Sequence, residues 1–485
     1  MASFLGVDVG TSSTKGVRVA ADGTVERVAV REHAVDRPGP GRVEMAPAVW
    51  WEEFCSIAHE LAAPDIAAVG VSGMGPCVAL TDAGGEPLRP AILYGVDTRA
   101  EEQIADLTER FGAAEIVERC GSALSTQAAG PKLAWIAQHE PEVFAAARRL
   151  FMPASWLTWK LTGEYVLDHH SASQCTPLYD VRAGEWFAPW AQELAGPIEL
   201  PRLVWADTVA GPVTPAASGA TGLPAGIPVV AGTIDAWTEA VSVGATRPGD
   251  LMLMYGTTMF LICTVADPIA CPPLWGTVGA FEGTRNLAGG MATSGAITGW
   301  LRDLFGSPGY EELIAEAGRS PVGARGLLML PYFAGERTPI ADPSARGVLA
   351  GLTIEHTRGD LYRSALEATA MGVRHNVEAM RDAGAEPVRV VAVGGGTQSD
   401  LWLQIVSDVS GLVQSVCRVG IGASYGAAFL AASAVADARI EDWNPVVRAI
   451  EPAGQRRAAY DELYAEYRRL HEATADIQHR LAHGR

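Results

Sequence analysis

The first thirty residues constrain the fold most. An apolar strand, Phe4 to Val9, ends in Asp8-Val9-Gly10-Thr11-Ser12-Ser13-Thr14-Lys15-Gly16, and a second strand, Val17 to Ala20, follows at once. Ala21-Asp22-Gly23 then turns the chain into a third strand, Val25 to Val30. Strand, tight polar turn, strand is the signature of a hairpin. A nucleotide-binding P-loop would run from its strand into a helix, and no G-x-x-x-x-G-K-[ST] occurs in the chain. Any phosphate-type turn here is therefore built between antiparallel strands.

The same pattern recurs past the middle of the chain. Gly244 to Asp250 reads as a boundary, after which Leu251 to Tyr255 is a strand, Gly256-Thr257-Thr258 a polar turn and Met259 to Val265 a second strand. This is a weak internal repeat, of pattern rather than identity. A single core rarely grows past about 250–300 residues, so 485 residues divided by this repeat predict two lobes, 1–245 and 246–485. Between the hairpins strands alternate with helical patterns. Residues 48–63, Arg99 to Arg119, Pro131 to His139 and Pro153 to Leu161 read as helices, whereas Ile66 to Ser72, Cys77 to Thr81 and Ile227 to Gly232 read as strands. Asp235 to Val243, Trp402 to Val409 and Arg456 to Leu481 are helical, and Val388 to Val393 is a strand. Such alternation predicts an α/β architecture.

Charge and cysteine usage narrow the class. With 37 basic and 56 acidic residues the net charge is −19, a poor basis for general binding to nucleic acid or anionic lipid. Seven scattered cysteines without a C-x-x-C predict a reduced, cytoplasmic setting rather than a disulfide or zinc framework. No basic leader opens the sequence and no apolar run is long enough to span a membrane, so a signal peptide and a membrane partner are not expected.

Four segments carry candidate chemistry. In the first turn, backbone N–H groups and hydroxyls can wrap a phosphate; Asp8 at the strand end is placed to hold a hydrated magnesium, and Lys15, one of only three lysines, adds a cation for a transferring phosphoryl group. An ordinary polar hairpin is the alternative. Asp235 sits at a strand–helix junction, where a carboxylate can receive the proton of an attacking hydroxyl or simply cap the helix. Gly256-Thr257-Thr258 is either a second phosphate turn or a plain strand turn. Gly394-Gly395-Gly396-Thr397 permits close backbone approach to a nucleotide. It is not G-x-G-x-x-G and lacks the acidic residue of a dinucleotide site. Gly422 to Ala428 is a small-residue helix start that serves close packing or a ligand equally well. The adjacent His169 and His170 read as surface or packing residues, and Trp50-Trp51 as core.

Taken together these residues resemble the FGGY family of carbohydrate kinases, in its xylulokinase-like branch. The resemblance runs from Gly6 to about Ala432 and includes Gly73-Met74-Gly75, Arg89-Pro90-Ala91-Ile92-Leu93, Asp97-Thr98-Arg99 and Pro131-Lys132-Leu133. Its most specific block is Leu330 to Pro339, followed by Gly347 and Gly351-Leu352-Thr353. The family implies two actin-like ATPase (ribonuclease H-like) lobes around a central cleft, ATP with Mg2+, and phosphorylation of a sugar or polyol hydroxyl. By resemblance Asp235 is the catalytic base, and Asp8, with Asp235 beside it, is the magnesium side. Gly10, Thr11, Ser12 and Lys15 face the phosphates, Gly256 and Thr257 form the second phosphate turn, and Gly394, Gly395 and Gly396 lie against the nucleoside. Met74, Gly75, Asp97 and Arg99 fall where the sugar sits.

The chain departs from that branch at the sugar. Xylulokinases carry Met-His where Met74-Gly75 stands and Trp-Asn-Asp where Gly95-Val96-Asp97 stands. A lost imidazole removes a hydroxyl partner, and sites built to bond hydroxyls discriminate strongly through such groups. A ketopentose such as xylulose leads the expected acceptors, with another ketose, a polyol or a sugar acid open behind it. A sensor without turnover on the same scaffold is the rival, disfavoured by the intact Asp8, Lys15 and Asp235. A small-molecule sugar is the expected partner, and a homodimer is left open.

Overall fold

The computed structural model describes residues 2–483 and divides into two compact units. The first comprises residues up to Pro248 with 266–286 and 421–445, and the second comprises 249–265, 287–420 and the chain from Val446. The units are thus not contiguous in sequence: two later segments return to the first.

In the first unit β1 (Ser3–Val9), β2 (Ser13–Ala20) and β3 (Val25–Glu32) form an antiparallel meander. β4 (Ile66–Gly73) pairs parallel with the other side of β1. β5 (Val209–Pro212) and β6 (Pro228–Val230) complete the order β5-β6-β4-β1-β2-β3, and the short β7 (Thr233–Ile234) also pairs with β4. The run expected from Ile227 to Gly232 thus shortens to β6, and β7 begins only after Gly232, whose φ is 70°.

Strand periodicity sorts the faces of β1. Leu5, Val7 and Val9 join a core with Trp50, Phe54, Ile57 and Leu61 of helix α1 (Pro47–Leu61) and Leu157 of α2 (Pro153–Thr162). The alternate residues Gly6 and Asp8 point the other way. There the helix Ala423–Val435 lies so close that a Cβ on Gly6 would stand 2.0 Å from the Ser424 carbonyl oxygen, and one on Gly70 of β4 1.9 Å from that of Ala427. Close packing is thus what the small residues from Gly422 to Ala428 do.

The second unit repeats this plan. β8 (Asp250–Tyr255) and β9 (Met259–Val265) form an antiparallel hairpin with the predicted strand–turn–strand layout. With β10 (Arg285–Met291), β11 (Arg389–Val393), β12 (Gln414–Cys417) and β13 (Val446–Ile450) the order is β10-β9-β8-β11-β12-β13. β8 and β11, then β11 and β12, are parallel, and β12 and β13 antiparallel. The hairpin followed by parallel neighbours and an antiparallel edge repeats the pairing pattern of the first unit. Each unit is ribonuclease H-like, as in actin-like ATPases.

Two helical expectations shift. The span from Arg99 to Arg119 is two helices, Glu101–Phe111 and Ala113–Cys120, because Gly112 between them takes a φ of 81° and ends the first. The strand from Cys77 shortens to Ala79–Thr81. Among the described residues all seven cysteines are free, and no helix is long and apolar enough to cross a membrane.

Candidate active site

Sheet register alone assembles the charged face of the first unit. Asp8 stands opposite Lys15 on β2 and opposite Ser72 on β4, and Ser72 in turn opposite Thr233 on β7. Directly opposed residues share a face of the sheet. Three steps of pairing therefore bring Lys15, Asp8, Ser72 and Thr233 together without any loop. β7 leads straight into α3 (Asp235–Ser242), so the first helical residue, Asp235, emerges at the same end.

Asp235 does not act as the N-cap. Ile234 holds that position without a side-chain bond, and the Asp235 Oδ1 accepts the N–H of the next residue, Ala236, at 2.7 Å. That leaves Oδ2 for other work. The Ser72 hydroxyl donates to Thr238 Oγ1 at 3.1 Å, and the Thr238 hydroxyl lies 3.1 Å from the Ile234 carbonyl. These bonds tie the first turn of α3 to β4.

Two residues that sequence reasoning missed belong here. Thr238 and Glu239 lie three and four positions after Asp235, the helical spacing that puts them on its side of α3. The i, i+4 pair of acids was a visible signal. Three carboxylates, Asp8, Asp235 and Glu239, now face one amine, Lys15. Burial raises the Asp8 carboxyl well above the usual range, with Asp235 next and Glu239 adding to it, while the Ser72 hydroxyl and Lys15 oppose it. Burial also raises Asp235, offset by the Ala236 N–H. Glu239 is pushed up to about 7 by burial and then by Asp235. The cluster is short of positive charge. Asp8 Oδ1 is buried without a hydrogen-bond partner among the described residues.

That orphaned oxygen is the observation against which a magnesium ion can be tested. Among the described residues no group of three or more His, Cys, Asp or Glu could by itself hold a metal ion. Mg2+, however, is commonly bound through one or two carboxylates, with waters and substrate phosphates filling the remaining positions. Asp8 fits that part, with Asp235 beside it.

The turn between β1 and β2 is closed by the Gly10 N–H to the Ser13 carbonyl at 2.9 Å, and Thr11 Oγ1 lies 2.8 Å from the Tyr94 hydroxyl. In the second unit the Gly256 N–H donates to the Thr258 carbonyl at 3.0 Å. The N–H groups of Ser294 and Gly295, opening α4 (Gly295–Leu304), donate to Thr257 and Gly256. Ser294 is a further residue the sequence did not flag. It is fully buried, and its Oγ has no partner among the described residues.

The three glycines after β11 divide their work. A Cβ on Gly394 would stand 2.6 Å from the Tyr255 carbonyl oxygen, and one on Gly396 would meet Trp402 and Tyr255 at 2.8 Å. Both are required by packing on the end of β8. A Cβ on Gly395 would meet nothing within 4 Å. Gly395 is thus the one that keeps space open beside the turn.

The residues assigned to the sugar are placed differently from a polar pocket. Met74 is buried in the core, its N–H donating to the Val9 carbonyl at 2.8 Å. Asp97 and Arg99 spend their charges on each other. Arg99 Nη2 lies 2.7 Å from Asp97 Oδ2, which also accepts the Val43 N–H at 2.6 Å, and Arg99 Nη1 reaches Glu44 at 2.6 Å. Their side chains are 0% and 2% exposed, so neither offers a free group to a hydroxyl. At Gly75 a Cβ would stand 2.7 Å from Ile234 Cγ1. The side chain just before Asp235 therefore fills the space in which a residue at 75 would begin. Of His169 and His170, the second is fully buried and stacks on Trp237 with centroids 3.7 Å apart, a packing role.

Comparison with known proteins identifies the family. Residues 3–242 match the N-terminal domain, and 251–435 the C-terminal domain, of the FGGY family of carbohydrate kinases. The xylulose kinase of Escherichia coli K12 is 29% identical over 482 residues, 97% of this chain and 98% of that one. The glycerol kinase of Nocardia farcinica is 32% identical over 88% of this chain and 89% of its own. The crystal structure of xylulose kinase from Rhodospirillum rubrum superposes with a TM-score of 0.91 at 33% identity, covering 99% of this chain and all of that one.

Proposed function

The chain belongs to the FGGY family of carbohydrate kinases, and from that premise we propose that it transfers the γ-phosphoryl group of ATP to a hydroxyl of a ketopentose, xylulose first. The observation that carries the reading is the meeting of Asp8 and Lys15 on one face of the first sheet with Asp235, which opens the helix after β7 close enough to Asp8 to raise its carboxyl. The substrate rests on the xylulose kinases that resemble this chain over nearly their whole length.

In this reading the ionised Asp235 carboxylate accepts the proton of the sugar hydroxyl. The oxygen forms its bond to the γ-phosphorus as the bond from that phosphorus to the ADP oxygen breaks. Lys15 and the turn from Gly10 to Ser12 oppose the charge that develops on the phosphoryl oxygens. Asp8, with Asp235 beside it, would hold Mg2+, which supplies charge neutralisation at the phosphates. Gly256 and Thr257 form the second phosphate turn, and Gly395, between the packing glycines Gly394 and Gly396, admits the nucleoside. Gly75, flanked by Ile234, lines the acceptor side, and Met74, Asp97 and Arg99 frame it from behind. A second acceptor class, another ketose, a polyol or a sugar acid, is favoured by one observation: Ile234 presents an apolar group at Gly75. ADP release across pentuloses, hexuloses, polyols and aldonic acids tests the reading. Turnover led by xylulose supports it, and turnover led by another class replaces xylulose with that class.

A further inference from the structure

Behind the first phosphate turn sits a histidine–carboxylate pair that none of the motifs includes. His33 follows β3, and Glu53 lies on α1. The His33 ring reaches the turn with one nitrogen and the helix with the other: Nε2 is 3.0 Å from the Gly10 carbonyl oxygen, and Nδ1 is 2.9 Å from Glu53 Oε2. The same Oε2 accepts the hydroxyl of the fully buried Thr14 at 2.5 Å, and the His33 backbone N–H donates to the Ser12 carbonyl at 3.0 Å. Both side chains are largely buried. Arg31, the nearest cation along the strand, is paired with Glu60 at 2.7 Å and does not compete for Glu53.

Donor and acceptor chemistry fixes the protons. A carbonyl oxygen can only accept, so Nε2 must carry a hydrogen. The second contact needs one further proton between Nδ1 and Oε2. Peptide planarity then gives the pair its consequence. In a trans peptide the C=O and the following N–H point in opposite directions. Holding the Gly10 carbonyl toward His33 therefore turns the Thr11 N–H away from it, and holding the Ser12 carbonyl does the same for the Ser13 N–H. Both amides are thereby turned away from the brace, and backbone N–H groups presented by a tight loop can receive an anion.

We infer that His33 and Glu53 are positioning residues that hold the turn from Gly10 to Ser13 in its phosphate-receiving form. The inference rests on the reading of that turn as a nucleotide-phosphate site. Neither side chain touches substrate; each acts through the peptide planes of the turn.

The test combines substitution with a direct view of the ring. In His33→Phe the KM for ATP is expected to rise roughly tenfold or more, the equivalent of one charge-assisted hydrogen bond. The KM for the sugar should stay within about twofold, since the turn is proposed to meet phosphate alone. Calorimetric affinity for Mg–ADP should fall in parallel. His33→Gln, whose amide N–H can still reach the Gly10 carbonyl, should recover most of the loss, and Glu53→Gln should show an intermediate loss. In the wild type, nitrogen NMR of labelled histidine, assigned by the resonance missing in His33→Phe, should show Nε2 protonated. A ring protonated on Nδ1 alone overturns the inference. So does wild-type Mg–ADP affinity in folded His33→Phe or, if that variant does not fold, in Glu53→Gln. Wild-type protein that binds Mg–ADP but turns over no sugar would instead count against the kinase reading, leaving the brace to be judged by the binding data.

Discussion

Replacing Gly426 by alanine probes how the fold holds Asp235, the proposed base. Gly426 lies on the helix Ala423–Val435, where an added Cβ would stand 2.0 Å from the carbonyl oxygen of Thr238 on α3. Ordinary contact begins near 3.4 Å, so the methyl group is roughly 1.4 Å too close to a backbone atom that cannot rotate away. The same helix is pinned on its sheet side by Gly6 and Gly70, so it cannot retreat. The strain must fall on α3, which carries Asp235 three residues before Thr238. Overpacking of this kind costs about 3 kcal/mol. A displacement of about 1 Å at a reacting group can cost on the order of a hundredfold in rate. Urea unfolding should show the loss of stability. Steady-state assays should show kcat falling far more than either KM changes. Gly219→Ala is the control, because its Cβ would meet nothing within 4 Å and a helical Gly→Ala change there should stabilise by about 0.5–1 kcal/mol. A Gly426→Ala protein as stable and active as the wild type would refute the packing argument.

The buried pair and the buried imidazole give further tests. Arg99→Met leaves the Asp97 carboxylate enclosed without its guanidinium partner and should destabilise the protein by about 3–5 kcal/mol in urea melts; a rise in sugar KM with unchanged stability would instead make Arg99 a sugar contact. His170 is held at about 3 against an ordinary 6.5 by burial, partly offset by the Val278 carbonyl, so the unfolded chain takes up its proton first. The stability owed to it is complete above pH 6.5 and is lost as the pH falls below that value, at about 1.4 kcal/mol per pH unit. His170→Phe, which preserves the stack on Trp237, should flatten that loss between pH 7 and pH 5, and equal losses in both proteins would contradict the assignment.

The two hairpins, the α/β alternation and the lobe repeat were legible because each is a local pattern of period and turn chemistry. So were Asp8, Lys15 and Asp235, which sit at strand ends where topology delivers them. The return of residues 266–286 and 421–445 to the first unit was not legible, since nothing local in those segments names their distant partners. Nor was the division among Gly394, Gly395 and Gly396, which depends on where Tyr255 and Trp402 lie. Motif position suggested Asp97 and Arg99 as sugar contacts, but only the three-dimensional structure reveals their pairing with each other and with Glu44 and Val43. His33 and Glu53 escaped for a related reason: they reach the turn from a strand end and a helix that flank no recognisable motif.

The central claim is that Asp235 receives the proton of a sugar hydroxyl during phosphoryl transfer. Sugar-dependent ADP release by Asp235→Asn measures it most directly, because the amide preserves shape and its Oδ1 can still accept the Ala236 N–H. Wild-type folding with kcat reduced by about two to four orders of magnitude is the expected result. Sugar-dependent ADP release at near wild-type kcat would contradict the account.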